Sequence, residues 1–277
     1  MAEFRAAVIG HPIAHSLSPA LFAEFARAAA VDLDYSAVDV HPDALAARLS
    51  AWRDDAGFVG CNVTMPHKER IIELLDGSTG AARATSAVNV VRRDGDAFVG
   101  DNTDVAGIAA TLDAFGFEAR GAAAVLFGAG GGARAVATVL GERGAARVTI
   151  VARTLARART LCEDASKRHR ATTFAPLEMH AALPPAELYV NATPLGQTGQ
   201  PTCDLLPENA RASAVAFDLV YRPAATPFLE QARVRGMKAI GGFTMLLEQA
   251  LATFDAWFGF RPQIDGAARA RLERLAA

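Results

Sequence analysis

The chain has 277 residues, of which 51% are hydrophobic, and its formal net charge is −2 at pH 7. This length suits one large domain or two ordinary ones, with ample apolar material for a core. The sequence has no basic block, no RNA-binding aromatic signature and no apolar run of membrane-spanning length. We therefore expect neither a nucleic-acid partner nor a membrane segment.

Strand and helix patterns alternate along the whole chain, which is typical of the α/β class. The predicted strands are 4–10, 34–40, 58–63, 87–92, 123–127, 147–152, 187–191 and 214–219. The predicted helices are 19–30, 43–53, 67–75, 104–115, 133–142, 154–168, 226–235 and 243–258. Because the first strand begins almost at once, we expect no signal peptide and a cytoplasmic location.

Cysteine and histidine positions argue against disulfides and metals. The cysteines are far apart and form no CxxC pair, so we expect reduced thiols. They are Cys61, Cys162 and Cys203. Pro12 prevents a regular helix between His11 and His15, and no cluster elsewhere has metal-ligand spacing. We predict no metal site.

Two hydroxyls lie at the start of the first predicted helix, in the segment His15-Ser16-Leu17-Ser18-Pro19. Ser18 followed by Pro19 is a typical N-cap with proline at the first helical position. Capping leaves Ser16 unexplained. Two hydroxyls beside a helix N-terminus also suit a carboxylate ligand, so both interpretations stay open.

A lysine follows a predicted strand and a proline turn in Asn62-Val63-Thr64-Met65-Pro66-His67-Lys68. We predict a helix over 67–75 with Lys68 in its first turn, where a cation is electrostatically unfavourable. A lysine held in such a position suits proton transfer. By position alone, a surface lysine with its ammonium in water is the alternative.

Polar residues also crowd Ala87-Val88-Asn89 and Gly100-Asp101-Asn102-Thr103-Asp104. Asn102 or Thr103 would cap the helix predicted from Asp104, and an acid in the first turn is stabilising. Capping accounts for the residue types but leaves the crowding unexplained.

A glycine-rich segment, Gly128-Ala129-Gly130-Gly131-Gly132-Ala133, joins a predicted buried strand to a predicted helix. In dinucleotide-binding domains such a turn lets the backbone approach the pyrophosphate, and the helix N-terminus offers free N–H groups. A plain strand-to-helix connection is the alternative interpretation.

The strand predicted at 147–152 ends where an acid would bind the free 2′-hydroxyl of NAD. Arg153 stands there instead, with Arg157 one helical turn further on. Arginine suits a 2′-phosphate, so the sequence predicts NADP rather than NAD. The alternative is an ordinary solvated helix start.

The position of the glycine-rich turn implies two domains, because a long α/β stretch precedes it. Gly241-Gly242 interrupts the strand and helix pattern before a long predicted helix, which we expect to pack back on the first domain. We predict an α/β substrate-binding and catalytic domain of residues 1–104 plus 242–277. A Rossmann-type NADP-binding domain would span 105–241, with the active site in the cleft between them.

Together these segments resemble the shikimate dehydrogenase family over nearly the whole chain. The matching motifs, in order, are SLSP, NVTMPHK, AVN, GDNTD, GAGGGA, NATPLG at 191–196, DLVY at 218–221, TPF at 226–228 and MLLEQA at 245–250. The resemblance implies reversible NADP-dependent hydride transfer between 3-dehydroshikimate and shikimate, small molecules of chorismate and aromatic amino acid biosynthesis. A homodimer is compatible with it.

The resemblance also implies residue roles. Lys68 and Asp104 match the catalytic pair, and Ser16 and Ser18 match the serines that bind the substrate carboxylate. Other positions matched to substrate binding are Asn62, Thr64, Asn89, Tyr221 and Gln249. Positions matched to cofactor binding are Gly128, Ala129, Gly130, Gly131, Gly132, Ala133, Arg153, Thr154, Arg157, Asn191, Ala192, Thr193, Leu219, Gly242 and Met245.

Three positions depart from the family pattern. Ala152 replaces an asparagine, from which we expect lower cofactor affinity, and Thr244 stands where glycine is common, near the nicotinamide. Gly131-Gly132 contains one glycine more than many members carry.

Two alternative functions stay open. A quinate or aminoshikimate dehydrogenase of the same fold would carry almost identical motifs, and Thr244 favours keeping it. A non-catalytic NADP-binding sensor would be expected to have lost Lys68 and Asp104, yet both residues are present.

Overall fold

The computed structural model describes residues 2–276, and the chain in it forms two compact units. Unit 1 holds the chain up to Gly107 together with Leu247–Leu275, and unit 2 holds Ile108–Leu246. The α/β two-domain class is therefore confirmed, and the C-terminal segment belongs to unit 1. The predicted functional boundaries at 104/105 and 241/242 stay predictions.

Unit 1 is built on a mixed sheet. Its strands are β1 (Phe4–Gly10), β2 (Leu33–Asp39), β3 (Phe58–Val63), β4 (Gly77–Ser78), β5 (Val90–Asp94) and β6 (Ala97–Asp101), in the order β2-β1-β3-β5-β6-β4. β1 pairs in parallel with β2 and β3, whereas β5 is antiparallel to β3 and β6. Its helices are α1 (Ser18–Ala29), α2 (Leu45–Arg53) and α3 (Gly80–Thr85).

The core of unit 1 forms where apolar strand faces meet these helices. Ile9, Phe58, Cys61 and Phe98 are among its buried side chains. The polar motifs begin at the ends of β1, β3 and β6. A functional site can therefore be built at this edge of the sheet.

Unit 2 is an all-parallel sheet. Its strands are β7 (Ala123–Phe127), β8 (Arg147–Ala152), β9 (Thr173–Glu178), β10 (Leu188–Asn191), β11 (Val215–Asp218) and β12 (Lys238–Ile240). Their order is β12-β11-β10-β7-β8-β9, the doubly wound arrangement. The order reverses between β7 and β10, and ligands of such sheets bind at the carboxyl ends of the strands at this point.

The helices of unit 2 are α5 (Gly131–Glu142), α6 (Leu155–Arg168) and α7 (Pro227–Val234). α4 (Asp104–Ala114) and α8 (Phe243–Phe258) each contain a unit boundary, and α9 (Gly266–Ala276) ends the chain. In the part of the chain that the structure describes, no helix is long and apolar enough to cross a membrane.

Most predicted elements agree with the structure, but the helix predicted over 67–75 is wrong. Residues 65–69 form a turn, and a short 3-10 helix follows at Arg70–Leu74. The Lys68 carbonyl accepts a hydrogen bond from Val88 N at 2.7 Å, so its partner is a distant segment and not the next turn of a helix. Lys68 therefore does not stand in the first turn of an α-helix.

Several short elements were not predicted, namely β4, β6, β9, β12, α3 and α9. β9 contains Pro176, which is tolerated because β9 is an edge strand of its sheet. Edge position is set by the topology and is invisible in a local pattern.

Candidate active site

The loop after β3 positions Lys68 through backbone contacts. His67 N donates to Thr64 O at 2.9 Å, and the Lys68 carbonyl is held by Val88 N. The buried His67 ring bonds the Val40 carbonyl through Nε2 at 2.8 Å. The turn is thus anchored on both sides of the lysine.

Lys68 and Asp104 form a close ion pair. Lys68 Nζ lies 2.5 Å from Asp104 Oδ2, and the two side chains are only 17% and 6% exposed. Such charge-assisted hydrogen bonds are stronger than neutral ones, and this one fixes the position of the Lys68 ammonium. The sequence motifs on β3 and before α4 therefore meet in one place.

Asp104 begins α4, and Asn102 caps this helix. Asn102 Oδ1 accepts from Asp104 N at 3.1 Å, while its Nδ2 donates to Thr85 Oγ1 at 2.9 Å and to Ala87 O at 2.8 Å. Of the two candidate caps, Asn102 is the one whose side chain bonds the helix. This cap holds Asp104 against Lys68.

Asn89 is the centre of the polar cluster and is 2% exposed. Its Nδ2 donates to Asp104 Oδ1 at 2.8 Å and lies 3.4 Å from Gln249 Oε1. Its Oδ1 accepts from Thr103 N at 2.7 Å. The two Asp104 oxygens are thus bonded by Lys68 and Asn89 respectively.

The cluster extends through residues that the sequence did not single out. Thr253 Oγ1 lies 3.1 Å from Thr103 Oγ1 and accepts from Asn62 Nδ2 at 3.2 Å. The Tyr35 hydroxyl donates to Asn62 Oδ1 at 2.8 Å, and burial raises the pKa of that hydroxyl. A usable signal existed for Thr253: it follows Gln249 by four residues, so both mark one polar face of the apolar helix α8.

This cluster combines one cation and one carboxylate with neutral amides and hydroxyls. Buried polar groups of this kind are rigid when they are hydrogen-bonded, as these are. The arrangement can hold a proton at Lys68 Nζ and present Asp104, Asn89 and Gln249 to hydroxyl groups of a ligand.

At the start of α1 the structure contradicts the capping interpretation of Ser18, whereas carboxylate binding by Ser16 and Ser18 stays a prediction. The N-cap residue is Leu17, without a side-chain capping bond, so the prediction of Ser18 as N-cap is wrong. Ser16 Oγ instead accepts from Ser18 N at 3.2 Å. Thr64 N bonds Ile9 O at 2.9 Å, which places Thr64 beside the end of β1.

The glycine-rich turn of unit 2 needs glycine at its first position. Gly128 has φ 114°, and a Cβ there would stand 2.8 Å from the Ala192 carbonyl oxygen. Gly130 is the N-cap residue of α5 and supplies no side-chain cap. The first N–H groups of α5, from Gly131 through Gly132 to Ala133, therefore carry no side-chain cap, as a pyrophosphate site requires.

Arg153 directly follows β8 and is exposed, as are Thr154, the N-cap residue of α6, and Arg157. Ala152, the last residue of β8, is buried and offers no polar side chain. The end of β8 thus presents cations where a ribose phosphate would stand, and these residues fit NADP.

A second cluster in unit 2 joins the ends of β10 and β11. Asn191 Nδ2 donates to Asp218 Oδ1 at 2.9 Å, and Asn191 Oδ1 accepts from Thr193 N at 3.0 Å. Asp218 is fully buried, and burial raises its pKa to about 6. The Asn191 amide is thus bonded inside unit 2, and cofactor contacts of Asn191, Ala192 and Thr193 stay predictions.

The remaining predicted residues lie around the same edge of unit 2. A Cβ on Gly242 would stand 2.5 Å from the Leu219 carbonyl oxygen, so that position excludes side chains. Met245 is buried near the start of α8, and Tyr221 follows β11. Within residues 2–276, no group of three His, Cys, Asp or Glu side chains could hold a metal ion.

Two family models match the chain. One is described as the shikimate dehydrogenase substrate binding domain and matches residues 8–91. The other, shikimate / quinate 5-dehydrogenase, matches residues 111–197.

Relatives match over nearly the full length. A shikimate dehydrogenase (NADP(+)) of Methylobacterium radiotolerans is 44% identical over 276 residues, covering 97% of this chain and 96% of the relative. Shikimate 5-dehydrogenase from Thermus thermophilus, solved with NADP(H) and shikimate, has a TM-score of 0.86 at 36% identity and covers 99% of this chain and 100% of that chain. A shikimate dehydrogenase solved with NADP+ has a TM-score of 0.91 at 28% identity, covering 99% and 96%. The motif-based prediction is confirmed: the chain belongs to the shikimate dehydrogenase family.

Proposed function

We propose that this protein catalyses the reversible, NADPH-dependent reduction of 3-dehydroshikimate to shikimate. The observation that carries the proposal is the ion pair of Lys68 Nζ and Asp104 Oδ2 at 2.5 Å, set among buried amides and hydroxyls. A ketone that becomes an alcohol needs a proton donor, and a polyhydroxylated ring needs directed hydrogen bonds. The NADP(+) named for the relatives supports the cofactor.

In this mechanism NADPH, when bound, supplies the hydride. Negative charge then develops on the ketone oxygen, where the Lys68 ammonium stabilises it and donates the proton. Asp104 holds that ammonium in place and accepts a hydrogen bond from a substrate hydroxyl. Asn89 and Gln249 would bind further hydroxyls from their positions beside Asp104.

Ser16 and Ser18 would bind the substrate carboxylate. We expect Ser16→Ala to raise the KM for shikimate about tenfold, because a hydrogen bond to a charged group is lost, while kcat changes little. Steady-state kinetics check this, with Ser50→Ala on the exposed face of α2 as control. Because Ser16 Oγ also accepts from Ser18 N, a purely local role would lower thermal stability and leave KM unchanged.

Arg153 would select NADP through the 2′-phosphate. An arginine–phosphate contact is charge-assisted, so Arg153→Ala is expected to raise the KM for NADP about tenfold and to leave the KM for NAD nearly unchanged. The exposed Arg159 on α6, the helix that follows Arg153, provides the control, Arg159→Ala. Equal effects of Arg153→Ala on both cofactors would contradict the assignment.

A substrate panel tests the function as a whole. Shikimate and quinate are each offered with NADP and with NAD, and the expected preference is shikimate with NADP. A preference for quinate would identify the protein as the alternative, a quinate dehydrogenase. Quinate is also named in the description of the family model that matches residues 111–197. NADP binding without turnover of either substrate identifies a sensor.

The remaining proposals concern location and assembly. The three cysteines are free, which is typical of proteins in a reducing compartment, and we place the enzyme in the cytoplasm. A homodimer stays a prediction, for which size-exclusion chromatography with light scattering is the direct measurement.

A further inference from the structure

We propose that Asp218 is a positioning residue for cofactor binding: its Oδ1 fixes the two loops that border the glycine-rich turn. This inference rests on the proposed NADPH-dependent function. Asp218 ends β11 and is fully buried, so it is a poor candidate for contact with a ligand. A carboxylate is stable in a protein interior only where its hydrogen bonds offset the free energy that is lost when it leaves water.

The two oxygens of Asp218 serve different elements. Oδ1 accepts from Asn191 Nδ2 at 2.9 Å and from Val220 N at 2.9 Å, which joins the last residue of β10, and through it the loop that begins at Ala192, to the loop after β11. Oδ2 accepts from Thr226 Oγ1 at 2.6 Å, and Thr226 is the N-cap of α7. We therefore call Oδ1 the loop side of the carboxylate, because it joins the two loops, and Oδ2 the helix side, because it binds the N-cap of α7.

The loops held by Oδ1 lie directly against the glycine-rich turn. Ala192 N, next to Asn191, donates to Phe127 O at 2.8 Å, and the Ala192 carbonyl oxygen is 2.8 Å from a Cβ built on Gly128. Leu219 Cδ2 is 3.2 Å from a Cβ built on Gly132. A shift of either loop would therefore press on the turn or open it.

The donors around Asp218 are neutral, and the site tolerates a proton. A hydroxyl both donates and accepts, so with a proton on Oδ2 the acid donates to Thr226 Oγ1 while Oδ1 still accepts from Asn191 and Val220. Its pKa of about 6 means that both forms occur near neutral pH. An asparagine at 218 would reproduce the neutral form, with its oxygen toward the loops and its amide toward Thr226.

The test compares Asp218→Ala, Asp218→Asn and the control Thr226→Val by fluorescence titration with NADPH, thermal unfolding and steady-state kinetics. We expect Asp218→Ala to raise the Kd for NADPH about tenfold and the KM for shikimate by a smaller factor, because Tyr221 is the one predicted substrate residue on these loops. Asp218→Asn should restore NADPH affinity. Thr226→Val should lower the unfolding temperature and leave the Kd unchanged, since the loop side is intact.

Three results would overturn the proposal. Asp218→Ala and Thr226→Val could both lower stability without changing the NADPH Kd, which is the behaviour of a merely structural residue. Asp218→Asn could lose as much affinity as Asp218→Ala. If Asp218→Ala does not fold, Asn191→Ala breaks the same link from the other side, and an unchanged Kd in that variant is equally decisive. Failure of the wild type to bind NADPH would instead refute the proposed function itself.

Discussion

Replacing Lys68 is expected to lower turnover by about 10²–10⁴, the usual contribution of a general acid–base group. Two variants separate chemistry from packing: Lys68→Ala removes the side chain, and Lys68→Met keeps most of its apolar length. Both lose the ammonium that would donate the proton and stabilise charge on oxygen. The KM for shikimate should change much less, because Ser16, Asn89 and Gln249 remain.

The measurement is kcat at saturating NADP and shikimate, with the fold checked by circular dichroism. Lys167 is the matched control, because it is an exposed lysine on α6, and Lys167→Ala should leave kcat unchanged. A fall of less than about threefold in a folded Lys68→Ala protein would remove Lys68 from the mechanism.

Asp104→Asn is expected to lower kcat by about ten- to a hundredfold and also to weaken substrate binding. An amide offers one acceptor oxygen where the carboxylate offers two, and both Asp104 oxygens are in use, by Lys68 and by Asn89. The substitution therefore releases the ammonium or disturbs Asn89. Asp113→Asn on the exposed side of α4 provides the same chemical change outside the cluster and should retain full activity.

The double variant Lys68→Ala/Asp104→Asn tests whether the pair acts as a unit. Its loss of turnover should be close to that of Lys68→Ala alone, because Asp104 acts on the proton through the lysine. Losses that multiply would show that Asp104 works independently, and an Asp104→Asn enzyme with wild-type kcat and KM would exclude it from the site.

Local patterns were sufficient for much of this protein. Strand and helix periodicity determined the α/β class, and the glycines from Gly128 with Arg153 after β8 determined the NADP prediction. These features depend on residues close together in the chain, whose spacing is fixed by covalent geometry. The motif around Lys68 was found for the same reason.

Other features depended on partners far along the chain. Lys68 does not begin an α-helix because its carbonyl accepts a hydrogen bond from Val88 N, on a later segment of the chain. Asn89 and Gln249 are 160 residues apart in sequence, yet their side chains meet. No local pattern encodes such a meeting.

What the sequence by itself determined is therefore the set of chemical groups: a lysine, a carboxylate, amides, hydroxyls and a glycine-rich turn. What only the tertiary structure decided is which of these groups share hydrogen bonds, as Asp218 does with Asn191 and Val220. The physical reason is that a buried polar group must find a partner, and burial together with partnership arises only when distant segments pack.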